Sequence, residues 1–155
     1  KNQAVAPKSV SELKELKAAT KLPFILKGIM NPRDAELACE AGIDAIIVSN
    51  HGGRVLDQMP GTMDVLTEIV SAVGNSITVI ADGGFRNGVD VLKAIALGAR
   101  FVLIGRPVAI AAVGMGADGT AFYMEQIKQE LQKAMVLTGC TKIEDITPDI
   151  IREIG

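Results

Sequence analysis

The chain of 155 residues has one histidine, two cysteines and a formal net charge of only -2. Each scarcity excludes something. Cys39 and Cys140 do not make a disulfide framework. Each falls in an expected helix or at its end, where a small buried hydrophobe is the expected role. One histidine and two scattered cysteines supply too few ligands for a zinc site, so no metal is expected. A charge this close to neutral gives no general pull toward nucleic acid or an anionic membrane, and neither is expected as a partner. No apolar run reaches the length of a membrane span, and no charged, apolar and cleavage-site series opens the chain. The final Arg152-Glu153-Ile154-Gly155 does not have the form of a peroxisomal signal. These features together point to a reducing cytoplasm.

What is present describes a globular domain. Apolar residues make up 48% of the chain and charged residues 22%, too apolar for disorder, and the length suffices for one domain with a core. Residues 1–10 are polar and aperiodic. Ser11 to Ala18 has helical spacing, with Ser9 or Ser11 as the cap. Leu22 to Gly28 reads as a first strand, with Lys27 at its C-terminal end. Pro32 to Ala41 reads as a helix, with Asn31 as N-cap and Gly42 as the stop. Ile43 to Val48 is the second strand. A helix opens at Gly61-Thr62 and closes at Gly74-Asn75, and Ile77 to Ala81 is the third strand. Asn87 caps the next helix, which Gly98 stops, and Phe101 to Ile104 is the fourth strand. A short helix, a joint at Gly114, Gly116 and Gly119, and a long helix to about Leu137 follow. Ile143 to Ile154 forms a final short helix.

Strand and helix alternate four times with short connections, the pattern of a parallel sheet built from (β/α) units. All four strands are apolar throughout, so both sheet faces should be covered. A complete (β/α) barrel has eight units and typically ~250 residues, so this chain is half a barrel by count. In such barrels the active site lies at the C-terminal ends of the strands. Here those ends carry the chemically capable residues: Lys27; Ser49, His51 and Arg54; Asp82, Gly83, Gly84 and Arg86; Gly105 and Arg106. Singly, each has an ordinary explanation: a snorkelling lysine, a turn, a helix entry. Aligned at one edge of one sheet, they form a candidate site. A neutral imidazole at His51 accepts a proton near physiological pH, and the Arg54 guanidinium holds a carboxylate by two hydrogen bonds. Gly83, Gly84 and Gly105 leave backbone N–H groups unobstructed near helix N-termini, and Arg86 and Arg106 add charge, a combination suited to a phosphate. Barrels commonly bind phosphate after their last two strands, which makes this the C-terminal half, strands 5 to 8.

Four segments carry a resemblance: Leu26-Lys27-Gly28-Ile29; Ser49-Asn50-His51-Gly52-Gly53-Arg54-Val55-Leu56-Asp57; Ala81-Asp82-Gly83-Gly84-Phe85-Arg86-Asn87-Gly88-Val89-Asp90; and Leu97-Gly98-Ala99 through Ile104-Gly105-Arg106-Pro107. They resemble the FMN-dependent 2-hydroxy acid oxidases and dehydrogenases, the family of glycolate oxidase, lactate oxidase and the flavin domain of flavocytochrome b2. Met135 to Cys140 also fits, and the resemblance spans about residues 10–150. It implies a single FMN-binding half-barrel domain over residues 1–155. The implied reaction is oxidation of an (S)-2-hydroxy acid such as lactate or glycolate to the 2-oxo acid. His51 would be the base and Arg54 would hold the substrate carboxylate. Lys27 would face the N1/O2 edge of the flavin and Ser49 would touch it. Asp82, Gly83, Gly84, Phe85, Arg86, Gly105 and Arg106 would bind the ribityl chain and phosphate. Phe85 departs from the family, which usually has a smaller aliphatic residue there.

The family's N-terminal half has no counterpart in this sequence. That half supplies the first four strands, substrate-contacting tyrosines, a second carboxylate-binding arginine and an aspartate that pairs with the histidine. Tyr123, the only tyrosine, lies on the last helix and does not replace them. The resemblance therefore implies a fragment, inactive alone, that works beside the N-terminal half, possibly as a separate chain. Exposed sheet edges would favour self-association, so a homo-oligomer is expected. Two other readings stand beside this one: another FMN barrel enzyme such as isopentenyl diphosphate isomerase, and a non-catalytic half-barrel that binds phosphate or FMN.

Overall fold

A computed structural model describes residues 6–151; the expectations for residues 1–5 and for the tail beyond 151 lie outside the described residues. Its four strands are β1 (Ile25–Ile29), β2 (Ala45–Val48), β3 (Thr78–Asp82) and β4 (Phe101–Leu103). They form one parallel sheet in the order β1-β2-β3-β4. The helices are α1 (Val10–Ala18), α2 (Pro32–Glu40), α3 (Thr62–Val73), α4 (Gly88–Ala96) and α5 (Arg106–Leu137). The alternating half-barrel pattern expected from the sequence is therefore the observed one.

Local chemistry sets most of the boundaries. Ser9, rather than Ser11, caps α1: its side chain accepts from the Glu12 N–H, and Glu12 accepts from the Ser9 N–H at 2.8 Å. Asn31 and Asn87 cap α2 and α4 alike, each accepting the N–H three residues on at 2.8 Å. β1 starts at Ile25, later than Leu22, and β2 at Ala45, later than Ile43. Phe24 and Asp44 bond one another instead of joining the ladder: the Phe24 N–H donates to the Asp44 carboxylate, and the Asp44 N–H donates to the Phe24 carbonyl at 3.1 Å. α5 runs from Arg106 to Leu137, but Met115 and Gly116 leave helical geometry, Gly116 with φ of 60°. This break is the expected joint. In place of a final helix, the tail makes two single 3-10 turns, Ile143–Asp145 and Pro148–Ile150.

The register divides the sheet into two faces. Leu26, Ile46 and Val79 form one row, and Val48, Ala81 and Val102 the next. These rows pack against Ala35 and Ala38 of α2, Leu66 and Ile69 of α3 and Ala94 of α4. Ile46, Leu66 and Ile69 are fully buried there, each contributing about 1.5–3 kcal/mol of hydrophobic stabilisation. The opposite face carries Ile25, Lys27, Ile47, Ile80, Asp82, Phe101 and Leu103. No helix covers it among the described residues, and Phe101 stays 58% exposed and Ile25 45% exposed. The expectation that both faces are covered thus fails among the described residues. The crossovers bring α2, α3 and α4 to the same side, leaving the second side to whatever closes the barrel.

Candidate active site

The uncovered face ends in an ion pair. Lys27 near the end of β1 and Asp82 at the end of β3 both point to this face, and the Lys27 ammonium donates to the Asp82 carboxylate. Ser49, one residue beyond β2, lies between them. Its Oγ accepts from Lys27 Nζ at 2.7 Å, donates to Asp82 Oδ2 at 2.6 Å and accepts the His51 N–H at 3.1 Å. Ser49 is 0% exposed. The expectation that Ser49 touches a ligand meets this burial: the serine sits behind the pair and is absent from the cavity wall. Burial resists ionisation of Asp82, but the hydrogen bonds from Lys27 and Ser49, with the neighbouring positive charge, hold its carboxyl below the ordinary value of 3.8.

His51 leaves β2 in a tight 3-10 turn, His51–Gly53, and takes a positive φ of 57°. The side chain of Asn50 fixes this turn. It accepts from the Gly53 N–H and donates to the Pro60 carbonyl, both at 3.1 Å. The imidazole rests on Gly28, where the register of β1 against β2 slips between Lys27 and Ile29. A Cβ at Gly28 would lie 2.9 Å from His51 Cε1, and φ there is +99°. Both the bulge and the ring contact require glycine.

The remaining sequence candidates gather around the same opening. His51, Arg54, Lys27 and Asp82 line a cavity of about 430 Å³, together with the loop Gly83 to Arg86 and with Gly105 and Arg106. Arg54 and Arg106 approach each other over Gly52: a Cβ there would lie 3.6 Å from Arg106 Nη2 and 3.8 Å from Arg54 Nε. The wall carries four cationic side chains, Lys27, Arg54, Arg86 and Arg106, against one carboxylate, Asp82. In a chain whose net charge is -2, that concentration selects an anionic ligand. Thr62 joins two of the loops, donating through Oγ1 to the Asp82 carbonyl at 2.7 Å.

Phe85 lines the cavity with the rest of its loop, yet it is 4% exposed and packs into the core. One expectation about the phosphate end needs correction. The N-terminus of α4 is not an open anion seat. The Arg86 N–H already donates to Asp90 at 2.9 Å, the Gly88 N–H to Glu130 at 2.8 Å and the Asp90 N–H to Asn87. The N-terminus of α5 differs: Gly105 there makes no side-chain cap, and a Cβ at Gly105 would meet nothing within 4 Å. Of the two helix starts, α5 keeps its amide groups free of a side-chain cap.

Sequence reasoning missed Gly28, Asn50, Thr62 and Glu130. A glycine inside an apolar strand is a sequence sign of a bulge or a close approach, and it marks Gly28. Asn50, three residues before Gly53, is a local turn signal as well, whereas Thr62 and Glu130 act through bonds to distant segments and leave no local mark.

Comparison with known proteins gives a consistent set of similarities. The family model described as FMN-dependent dehydrogenase matches residues 1–153. 2-Hydroxyacid oxidase 2 of Mus musculus is 48% identical over 142 residues, which is 92% of this chain and 40% of the mouse protein. The 2-hydroxyacid oxidase of Dictyostelium discoideum is 52% identical over 141 residues, 91% of this chain and 36% of that protein. The crystal structure of mandelate oxidase with benzoyl-formic acid superposes with a TM-score of 0.87 at 45% identity, covering 91% of this chain and 42% of the oxidase. The chain thus spans about two-fifths of the length of the relatives it matches.

Proposed function

The chain belongs to the FMN-dependent dehydrogenase family, and on that premise we propose that it forms the C-terminal half of a (β/α) barrel that oxidises an (S)-2-hydroxy acid to the 2-oxo acid with FMN. Lactate, glycolate and mandelate are the substrates to test. One observation carries the reading. An imidazole on a glycine floor, a guanidinium, and a lysine held by a buried serine and an aspartate open into one cationic cavity beside an uncapped helix start.

The residues suit the cofactor. Gly84 and Gly105 leave open space where a side chain would stand, so backbone can approach a ribityl or phosphate group. Arg86 and Arg106 would hold the phosphate, and Lys27 would lie against the ring system and balance negative charge there. FMN, when bound, is the acceptor of the two electrons that leave the substrate. Arg54 binds the substrate carboxylate and fixes which carbon faces His51. The neutral His51 imidazole accepts the proton released from the hydroxyl or from C2 as the alcohol becomes a ketone. No carboxylate hydrogen-bonds the His51 ring among the described residues, so the partner that orients it would come from the N-terminal half.

That half is the partner we propose for the open sheet face, where Phe101, Ile25 and Leu103 are exposed. Purified chain alone should give little or no turnover with FMN and an electron acceptor. With the N-terminal half restored, an (S)-2-hydroxy acid should bleach bound flavin under anaerobic conditions, and isopentenyl diphosphate should give no turnover. Bound flavin that no 2-hydroxy acid reduces would leave a binding module and overturn the enzymatic reading.

A further inference from the structure

The last helix reaches back to the loop that carries Arg86. The Tyr123 hydroxyl donates to the Arg86 carbonyl at 2.9 Å. Glu130 Oε2 accepts the Gly88 N–H at 2.8 Å, and its other oxygen accepts from Gln126 Nε2 at 3.2 Å. Between these points the Arg86 N–H donates to Asp90. The peptide groups on both sides of the Arg86 Cα are therefore tethered, two of the three bonds coming from α5. Contact between the helices is backbone to backbone: a Cβ on Gly88 would lie 2.1 Å from Leu131 N and 2.6 Å from the Ile127 carbonyl oxygen. Burial pushes the Tyr123 hydroxyl above its ordinary value of 10.0, with Glu130 and Asp90 adding to the shift, so it remains a donor at neutral pH.

The same helix begins with Arg106. Its break at Met115 and Gly116 lets the second segment turn back, so that Arg106, Tyr123 and Arg86 line one cleft of about 600 Å³. With the Arg86, Gly88 and Asp90 amides already bonded, the Arg86 side chain is the one positive charge this loop offers an anion. The direction of that side chain depends on the tethered backbone.

We propose that Tyr123 and Glu130 are positioning residues for the cofactor phosphate: from α5 they fix the Arg86–Gly88 backbone and so aim the Arg86 guanidinium at the phosphate. This inference rests on the FMN reading above. One helix then carries a phosphate ligand at its start and braces a second one from its later turns.

The test compares FMN with riboflavin, which has the same ring and ribityl chain but no phosphate. Apoprotein of the full-length enzyme is titrated with each by quenching of flavin fluorescence. Wild-type protein should bind FMN far more tightly than riboflavin, and Arg86→Gln should narrow that gap. Tyr123→Phe and Glu130→Leu, each of which removes the donor or acceptor that holds the loop, should each raise the FMN Kd roughly fivefold, the effect of one lost hydrogen bond, and leave the riboflavin Kd unchanged. Equal weakening of both ligands would show general packing and overturn the inference, as would FMN binding unchanged in both variants. Wild-type protein that binds the two flavins alike would overturn the FMN reading itself.

Discussion

Ser49→Ala tests the arrangement behind the cavity. The serine oxygen receives Lys27 at 2.7 Å and the His51 N–H at 3.1 Å, and it donates to Asp82 at 2.6 Å. Alanine removes all three bonds at a fully buried position. Hydrogen bonds to charged groups contribute about 1.5–3 kcal/mol, and a buried donor left unsatisfied costs about 1–3 kcal/mol. Lys27 keeps its direct contact with Asp82, so the losses overlap. A net destabilisation of about 2–4 kcal/mol follows. With a urea slope of about 2 kcal/mol per molar, the unfolding midpoint falls by roughly 1–2 M. A second readout is pH. The folded-state pKa of Asp82 is depressed, so its contribution to stability is complete above the unfolded value and is lost as pH falls through the folded one. Ser49→Ala removes one cause of the depression, so the folded value moves toward the unfolded one, and the loss on acidification becomes smaller and is complete at a higher pH. Urea curves of the full-length protein at pH 7 and pH 3 measure both effects. A midpoint within error of wild type at both pH values would show that Ser49 is packing and nothing more.

Three further outcomes are expected. In Gly28→Ala the new Cβ lies 2.9 Å from His51 Cε1, where ordinary contact begins at 3.4 Å, so the ring must move about 0.5 Å. Steady-state kinetics should show kcat down roughly tenfold, given that a 1 Å misplacement costs about 10²-fold; unchanged kcat would mean the ring contact is not the one used. Arg54→Lys keeps the charge but loses the two-pronged grip, and KM for the hydroxy acid should rise roughly tenfold or more with a smaller change in kcat. Purified alone, the chain should self-associate on sizing columns and bind a hydrophobic dye through its open sheet face, where Phe101, Ile25 and Leu103 are exposed, and adding the N-terminal half should abolish both.

What the sequence could reveal was set by how local each cause is. The caps at Asn31 and Asn87, the joint at Gly116 and the strand-end clustering of Lys27, His51, Asp82 and Arg106 all arise within a few residues of chain, and all were readable. The occupancy of the α4 start was not. Glu130, which takes the Gly88 N–H, comes 42 residues later, and the only local hint was the Asn87–Asp90 cap itself. Burial of Ser49 was equally hidden, because a serine after a strand reads as a loop residue until its two charged neighbours are brought in from β1 and β3.

Face coverage exposes a different gap between pattern and structure. An apolar strand in a parallel sheet records that both of its faces are to be buried. It does not record which chain does the burying. Ile46 and Ile47 are equally apolar chain neighbours, yet Ile46 is sealed by helices of this chain while Ile47, paired with Ile80, sits on the side those helices leave open. The catalytic candidates sit on that open side as well, because Lys27 and Asp82 share its alternation with Ile25, Ile80, Phe101 and Leu103. Closing the barrel and completing the site are therefore one event. The surface that would bury Phe101 also walls off Lys27 and His51 from water, and a partner able to do the first without the second would break the link between fold and function proposed for this chain.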